Sequence, residues 1–206
     1  MRPNKRSTKN VVFLFVLLSE VVMAQQNRWA EVTLDLLQAK RAVALLPAAK
    51  KHSIERKIVL VAQRDGWECT GKEEVDELLH GLKYEWVPLK TDAKTVMVTS
   101  GQGCARGGQG ANGAMWLFDV SDKTPVYLGE LGGWGPGILG TNSDGYHDVV
   151  TGWHMSAVET GLAYYRFDGK AYRHIDGADA ISDDDGNWKI TPSKPSEKKQ
   201  QISEHQ

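Results

Sequence analysis

Three oxygen-bearing side chains stand close together around one glycine. Asn142, Asp144 and Asp148 flank Gly145 in the run Gly140-Thr141-Asn142-Ser143-Asp144-Gly145-Tyr146-His147-Asp148. Calcium loops use this arrangement: alternate Asp and Asn oxygens point to one centre, a glycine makes the sharp bend, and a later acid closes the shell. Asn142, Asp144 and Asp148 are therefore the candidate ligands of a metal site, with Ca2+ as the one cofactor the sequence suggests. Gly140 stands where a full loop would start with Asp. Three side chains, only two of them charged, would bind weakly. The same residues also make an ordinary turn in which Asn142 and Asp144 cap backbone amides, a reading that needs no ion.

His147, Asp148, His154 and Glu159 form the acid/base candidates. An extracytoplasmic hydrolase would use Asp148, His154 or Glu159 in that role. Spacing argues against it. Adjacent residues of a strand face opposite ways, which separates His147 from Asp148. Six extended residues hold Asp148 and His154 roughly 20 Å apart. No catalytic residue is assigned. Gly108-Gln109-Gly110-Ala111-Asn112-Gly113 spells GxGxxG. A dinucleotide site needs a helix after those glycines, and Met115-Trp116-Leu117-Phe118 reads as a strand instead.

Trp134, Trp153, Tyr164 and Tyr165 are residues of the kind that line a sugar-binding face, and equally of the kind that fill a core. The segment Asp144-Gly145-Tyr146-His147-Asp148-Val149-Val150 resembles the D-x-N-x-D-G-x-x-D-L pattern of FG-GAP/VCBS-type β repeats. Together with Trp153-His154-Met155-Ser156-Ala157, Tyr165-Arg166-Phe167-Asp168-Gly169-Lys170-Ala171-Tyr172 and the strand Trp116-Leu117-Phe118, it is similar to a group of bacterial secreted or periplasmic proteins. The resemblance spans roughly residues 95–175 and implies an extracytoplasmic β domain. One copy of the motif argues against a complete propeller.

The beginning of the chain agrees with that location. Arg2, Lys5, Arg6 and Lys9 precede an apolar run from Val11 to Leu18, and Val22-Met23-Ala24 has the character of a signal-peptidase site. This is the three-part leader pattern, with cleavage expected after Ala24. The run is shorter than a bilayer span and carries Glu20, so no transmembrane segment is expected in the mature chain. In an oxidising compartment the two cysteines, Cys69 and Cys104, are most simply a disulfide. A catalytic thiol at Cys104 would need a positioned base, which the sequence does not assign.

The net charge of −1 suggests no nucleic acid or anionic membrane as partner. A carbohydrate or an envelope protein is the expected kind of ligand. The 21 glycines and 7 tryptophans favour turns and aromatic-filled β structure. Spacing of Trp29, Val32, Leu36, Ala39 and Val43 predicts a helix over 28–46, limited by Pro47. A second helix is expected over 73–79, its acids early. Strands are expected over 57–63, 95–99, 114–120, 125–128, 148–154, 162–167, 171–175 and 188–190. Asp168-Gly169 is the strongest short hairpin signal and should place two residues at positive φ. The resulting expectation is a leader (1–24), one β-rich domain with a helical start (25–191) and a disordered tail (192–206). Its fold class is α+β, mainly antiparallel β: a sandwich, a curved sheet or a partial propeller with one or two N-terminal helices.

Overall fold

The computed structural model describes residues 28–64, 69, 71–101, 104–105, 112–183 and 187–193. The expected leader and residues 194–206 lie outside the described residues. The architecture is mainly antiparallel β. One open sheet carries eight strands in chain order: β1 (Leu82–Trp86), β2 (Thr95–Ser100), β3 (Gly113–Asp119), β4 (Val126–Ser143), β5 (Tyr146–His154), β6 (Glu159–Phe167), β7 (Tyr172–Ser182) and β8 (Trp188–Pro192). Helices that precede it among the described residues are α1 (Leu34–Leu37), α2 (Ala48–Arg64) and α3 (Lys72–His80).

β2 and β3 read as continuous apolar runs because both of their faces are covered. Val96, Val98, Ala114, Trp116 and Phe118 pack with Ile54, Ile58, Val61 and Ala62 of α2 and Leu78 of α3. The alternate residues Met97, Met115 and Leu117 pack instead with Tyr146, Val149, Tyr165, Phe167 and Tyr172. Those partners belong to β5, β6 and β7, so the sheet curls until its two halves share one apolar cluster. A third cluster puts Trp29, Val32 and Leu37 over Val150, Leu162, Tyr164 and Ala178.

Two expectations are corrected at the start of the domain. Residues 28–46 do not form one helix; within 29–46 only Leu34–Leu37 is helical, capped by Thr33, whose hydroxyl accepts from the Leu36 amide at 3.2 Å. Trp29, Val32 and Leu37 belong to one core cluster and Ala44 to another, which a single straight helix would not serve. The chain after α1 runs extended along β1, where the Ala44 amide donates to Tyr84 O (2.8 Å) and the Trp86 amide to Ala42 O (2.9 Å). This covers an edge strand that would otherwise be open.

Residues 57–63 are helix rather than strand. A short apolar run suits either state, and here Ile54, Ile58, Val61 and Ala62 bury one face while Leu60 stays exposed. Pro47 opens this helix, its carbonyl accepting from Lys50 and Lys51 amides at 3.0 and 3.1 Å. The helix expected over 73–79 is present as α3, with Glu73 and Glu74 in its first turn.

β4 is the element the glycines hid. It has 18 residues and two irregularities, at Trp134/Gly137 and Ile138/Asn142. The first includes Pro136, which has no amide to give to the ladder. At the other end of the molecule's first loop, Cys69 and Cys104 form the disulfide, with Cα atoms 5.3 Å apart. Among the described residues, no helix is long and apolar enough to cross a membrane.

Candidate functional site

The two Asp-Gly turns differ from one another. Asp144 (φ 51°) and Gly145 (φ 80°) are both in the left-handed region and join Ser143 to Tyr146 as a two-residue hairpin turn. That is the conformation in which Asp-Gly matches the twist of the flanking strands. At the second turn only Gly169 has positive φ, at 88°; Asp168 does not. The expectation of two such residues there is corrected. Asp168 Oδ1 accepts from the Lys170 and Ala171 amides at 2.9 and 2.8 Å, so the side chain closes the turn and the backbone of Asp168 stays ordinary. Those bonds, then Arg173, lower the Asp168 pKa to about 2.

Asp148 is fully buried. Its carboxylate accepts from the Tyr164 hydroxyl at 2.9 Å and from Arg166, through Nε at 3.1 Å and Nη2 at 2.6 Å. Arg166 lies across the β5–β6 ladder, one step beyond the Val149–Tyr165 pair. Its hydrogen bond to Asp148 raises the guanidinium pKa further above its ordinary value. The Tyr164 ring is met edge-on by Trp29, at 5.7 Å between centroids, and lies 5.0 Å from the Arg28 guanidinium. Arg28 in turn pairs with Asp176 at 2.9 Å. The result is a chain of matched charges across β5, β6 and β7, closed over by residues 28 and 29.

The candidates read from the sequence are spread over β4, β5, β6 and the turn between β4 and β5. Asn142 pairs with His147 along the ladder, and Asp144 occupies the exposed turn. Asp148 directs both oxygens to Tyr164 and Arg166. Among the described residues no three His, Cys, Asp or Glu side chains converge as a metal group would need. His147 Nδ1 lies 2.9 Å from Leu139 O. His154, at the far end of β5, exchanges backbone hydrogen bonds with the Asn112 side chain (2.9 and 3.3 Å). Glu159 begins β6 opposite Ile181. His154 pairs with Thr160, which makes Glu159 its neighbour across the β5–β6 ladder, while Asp148 lies six residues back along β5.

A different region forms a polar concavity. It is a cleft of about 570 Å³ between the end of α2, the first half of β4, β6 and the β6–β7 turn. Tyr127, Glu130 and Tyr165 supply its walls, and Arg64, Lys170 and Arg173 its cations. Gly129, with φ 129°, lets β4 approach β7 here; a Cβ on it would lie 3.0 Å from the Tyr172 amide nitrogen. Glu130 is oriented by the Trp116 indole, which donates to it at 2.9 Å. The Tyr165 hydroxyl accepts from the Gly132 amide at 3.2 Å. Arg173 is held by Asp168 at 3.0 Å. The Lys57 ammonium sits 5.3 Å over the Tyr127 ring.

Of the aromatic residues considered for a sugar face, Tyr164 lies in the core and Tyr165 reaches the cleft. Trp153 packs against Gly132, where an added Cβ would come within 2.5 Å of its ring. The cleft residues Arg64, Glu130, Lys170 and Arg173 carry no motif in the sequence. Three separate chain segments contribute them, and only the alternation of cationic and aromatic residues over 164–173 marks the hairpin that supplies two. No family model, curated protein or solved structure matches the chain.

Proposed function

We propose that the protein is a non-enzymatic binding domain of the periplasm or the extracellular space, and that its ligand, an envelope carbohydrate, seats in the cleft between β4 and β7. The cleft carries this reading. It has the size of a small-ligand site, strands on two sides and polar groups converging from several elements. The leader sequence, the Cys69–Cys104 disulfide and the resemblance to secreted β-repeat proteins support the location. The apolar cluster shared between the two halves of the sheet supports a sandwich-like description of the curl.

Binding is favoured over hydrolysis by the state of the acids. Asp148 is occupied by Arg166 and Tyr164 inside the fold, and Glu130 is the carboxylate among the cleft-lining residues. Glycoside hydrolysis ordinarily uses a pair flanking the bond. The test is to incubate the full chain with defined envelope oligosaccharides, following binding by calorimetry and the sugars by mass spectrometry. Saturable heat with unchanged sugars is expected. New reducing ends that disappear in Asp148→Asn would instead establish the hydrolase. Absence of any heat would remove the binding role.

A further inference from the structure

We infer that Asn112-Gly113 is a self-modification site: Asn112 converts to aspartate or isoaspartate when its side chain leaves β5, and the product cannot rebuild the contact that held it.

The sequence contains one Asn-Gly step, at Asn112-Gly113. Asparagine before glycine is prone to cyclise, because no Cβ on the second residue hinders the approach of its amide nitrogen and its backbone turns freely. Water is the only other reagent. The Gly113 nitrogen gives its proton to solvent base and bonds to Asn112 Cγ. The bond from Cγ to Nδ2 breaks, and Nδ2 takes up a proton and leaves as ammonia. A five-membered succinimide remains, and water opens it at either carbonyl. Attack at Cγ restores the main chain with aspartate at 112. Attack at the main-chain carbonyl carbon leaves isoaspartate, with the chain routed through Cγ.

In the folded chain the two reacting groups are held by different elements. Gly113 begins β3 and pairs with Gly133, and the amide after it, that of Ala114, donates to Ala105 O at 3.3 Å. The half-buried Asn112 is engaged by the end of β5: the His154 amide donates to Asn112 Oδ1 at 2.9 Å, and Asn112 Nδ2 donates to His154 O at 3.3 Å. These two bonds fix the plane of the carboxamide, which must turn onto the Gly113 nitrogen to react.

The contact lies where the sheet changes partners. β4 pairs with β3 as far as Gly133 and with β5 from Trp134 onward, and Asn112 ties those two partners to each other there. Packing at this seam is close. A Cβ on Gly133 would collide with Gly152 O, and one on Gly132 with the Trp153 ring. An ionised aspartate only accepts hydrogen bonds. At 112 it would keep the His154 amide but set an oxygen against the His154 carbonyl. Isoaspartate also adds a methylene to the main chain where β3 begins. Either product loosens the seam, and the change is one-way.

The experiment ages the full folded chain at mildly alkaline pH, beside the same chain unfolded in urea and a synthetic peptide of residues 109–116. Conversion at 112 is followed by peptide mapping and mass spectrometry. The folded chain should convert roughly tenfold or more slowly than the other two, since reaction waits for local opening. Across low urea concentrations the conversion rate and hydrogen exchange of the His154 amide should rise together. Each conversion adds a negative charge, so ion exchange separates the modified fraction of the aged protein without any refolding. Its His154 amide should exchange faster than that of the unmodified fraction. Peptide and unfolded chain both left unconverted would overturn the site itself. A folded chain converting as fast as the peptide, or conversion rising with urea while His154 exchange holds still, would overturn the gating by β5. Equal His154 exchange in the two fractions would overturn the loosening of the seam.

Discussion

The buried network around Asp148 and the open cleft around Arg173 are built from the same residue types and share two strands, β6 and β7, yet their charges are met in different ways. In the network each charge meets a partner from inside the fold: Asp148 with Arg166 and Tyr164, and Asp176 with Arg28. In the cleft Arg64, Glu130, Lys170 and Arg173 line walls that are open to solvent. Arg166 and Arg173 stand directly opposite one another across the β6–β7 ladder. One is turned to a fully buried carboxylate and the other to an exposed turn. The comparison teaches that a charged residue near a turn signifies little until its partner is known. Matched and buried, it specifies packing; on the wall of a concavity, it is what the proposed binding role draws on.

The comparison can be broken most forcefully at the disulfide. Cys69 follows α2, whose last residue, Arg64, lines the cleft, whereas the Asp148 network is remote from it in the sheet. The Cys69→Ser/Cys104→Ser double variant should lose roughly 4 kcal/mol of stability by the chain-entropy relation. It should also bind ligand more weakly while keeping the near-ultraviolet signal of Trp29 packed on Tyr164. Intact-mass measurement of the exported protein should find residues 1–24 removed and two hydrogens fewer than the dithiol. A full-length product with free thiols would contradict both the leader and the compartment.

Asp148→Ala comes next. Removing one partner of a buried ion pair leaves the other charge without compensation, a loss of about 3–5 kcal/mol. Arg166 retains access to solvent, with 41% of its side-chain surface exposed, which places this variant near about 3 kcal/mol. Urea unfolding should read this loss with no dependence on millimolar calcium. A calcium-dependent rise in the wild-type midpoint that the variant lacks would return Asp148 to the role of metal ligand.

Gly145→Val should cost about 1–2 kcal/mol, because a β-branched side chain tolerates φ of 80° poorly. Gly169→Val is strained in the same way at 88°. An unchanged thermal midpoint for Gly145→Val would mean that the β4–β5 turn is of another type.

The smallest expected effect is one of acidity. Asp168 has its pKa lowered from 3.8 to about 2 by the Ala171 and Lys170 amides and then by Arg173. Because the folded value lies below the unfolded one, its contribution is complete above pH 3.8 and is lost as pH falls through about 2. The stability difference between wild type and Asp168→Asn should therefore narrow over that window. A constant difference between pH 5 and pH 2 would show that Asp168 does not accept those bonds.

Much of the sheet was legible in the sequence, and the failures have physical causes. β2, β3, β5, β6 and β7 announce themselves by β-branched and aromatic residues between turn residues. Only the start of β4, expected over 125–128, does so; further along, the strand carries glycine where packing leaves no room for a side chain, as at Gly132, where a Cβ would meet Trp153. The run at 57–63 is equally apolar as strand or helix, and only the helix faces of Ile54, Ile58 and Val61 resolve it. For the site, Asp148 was found as an unusual residue but not its partner, since Arg166 is 18 residues away and meets it across a ladder. The cleft was invisible because Arg64 reaches it from a helix and Arg173 from a strand. Only the curl of the sheet makes them neighbours.

The most direct test of the division between a structural network and the proposed binding cleft is an amide NMR titration of the full chain with an envelope oligosaccharide. Saturable shifts should gather at Gly129, Gly132, Ala171, Tyr172 and Arg173, which line the cleft, while Asp148, Val150 and Tyr164 hold still. Shifts centred on Asp148, His154 and Glu159, with the cleft amides unmoved, would contradict it.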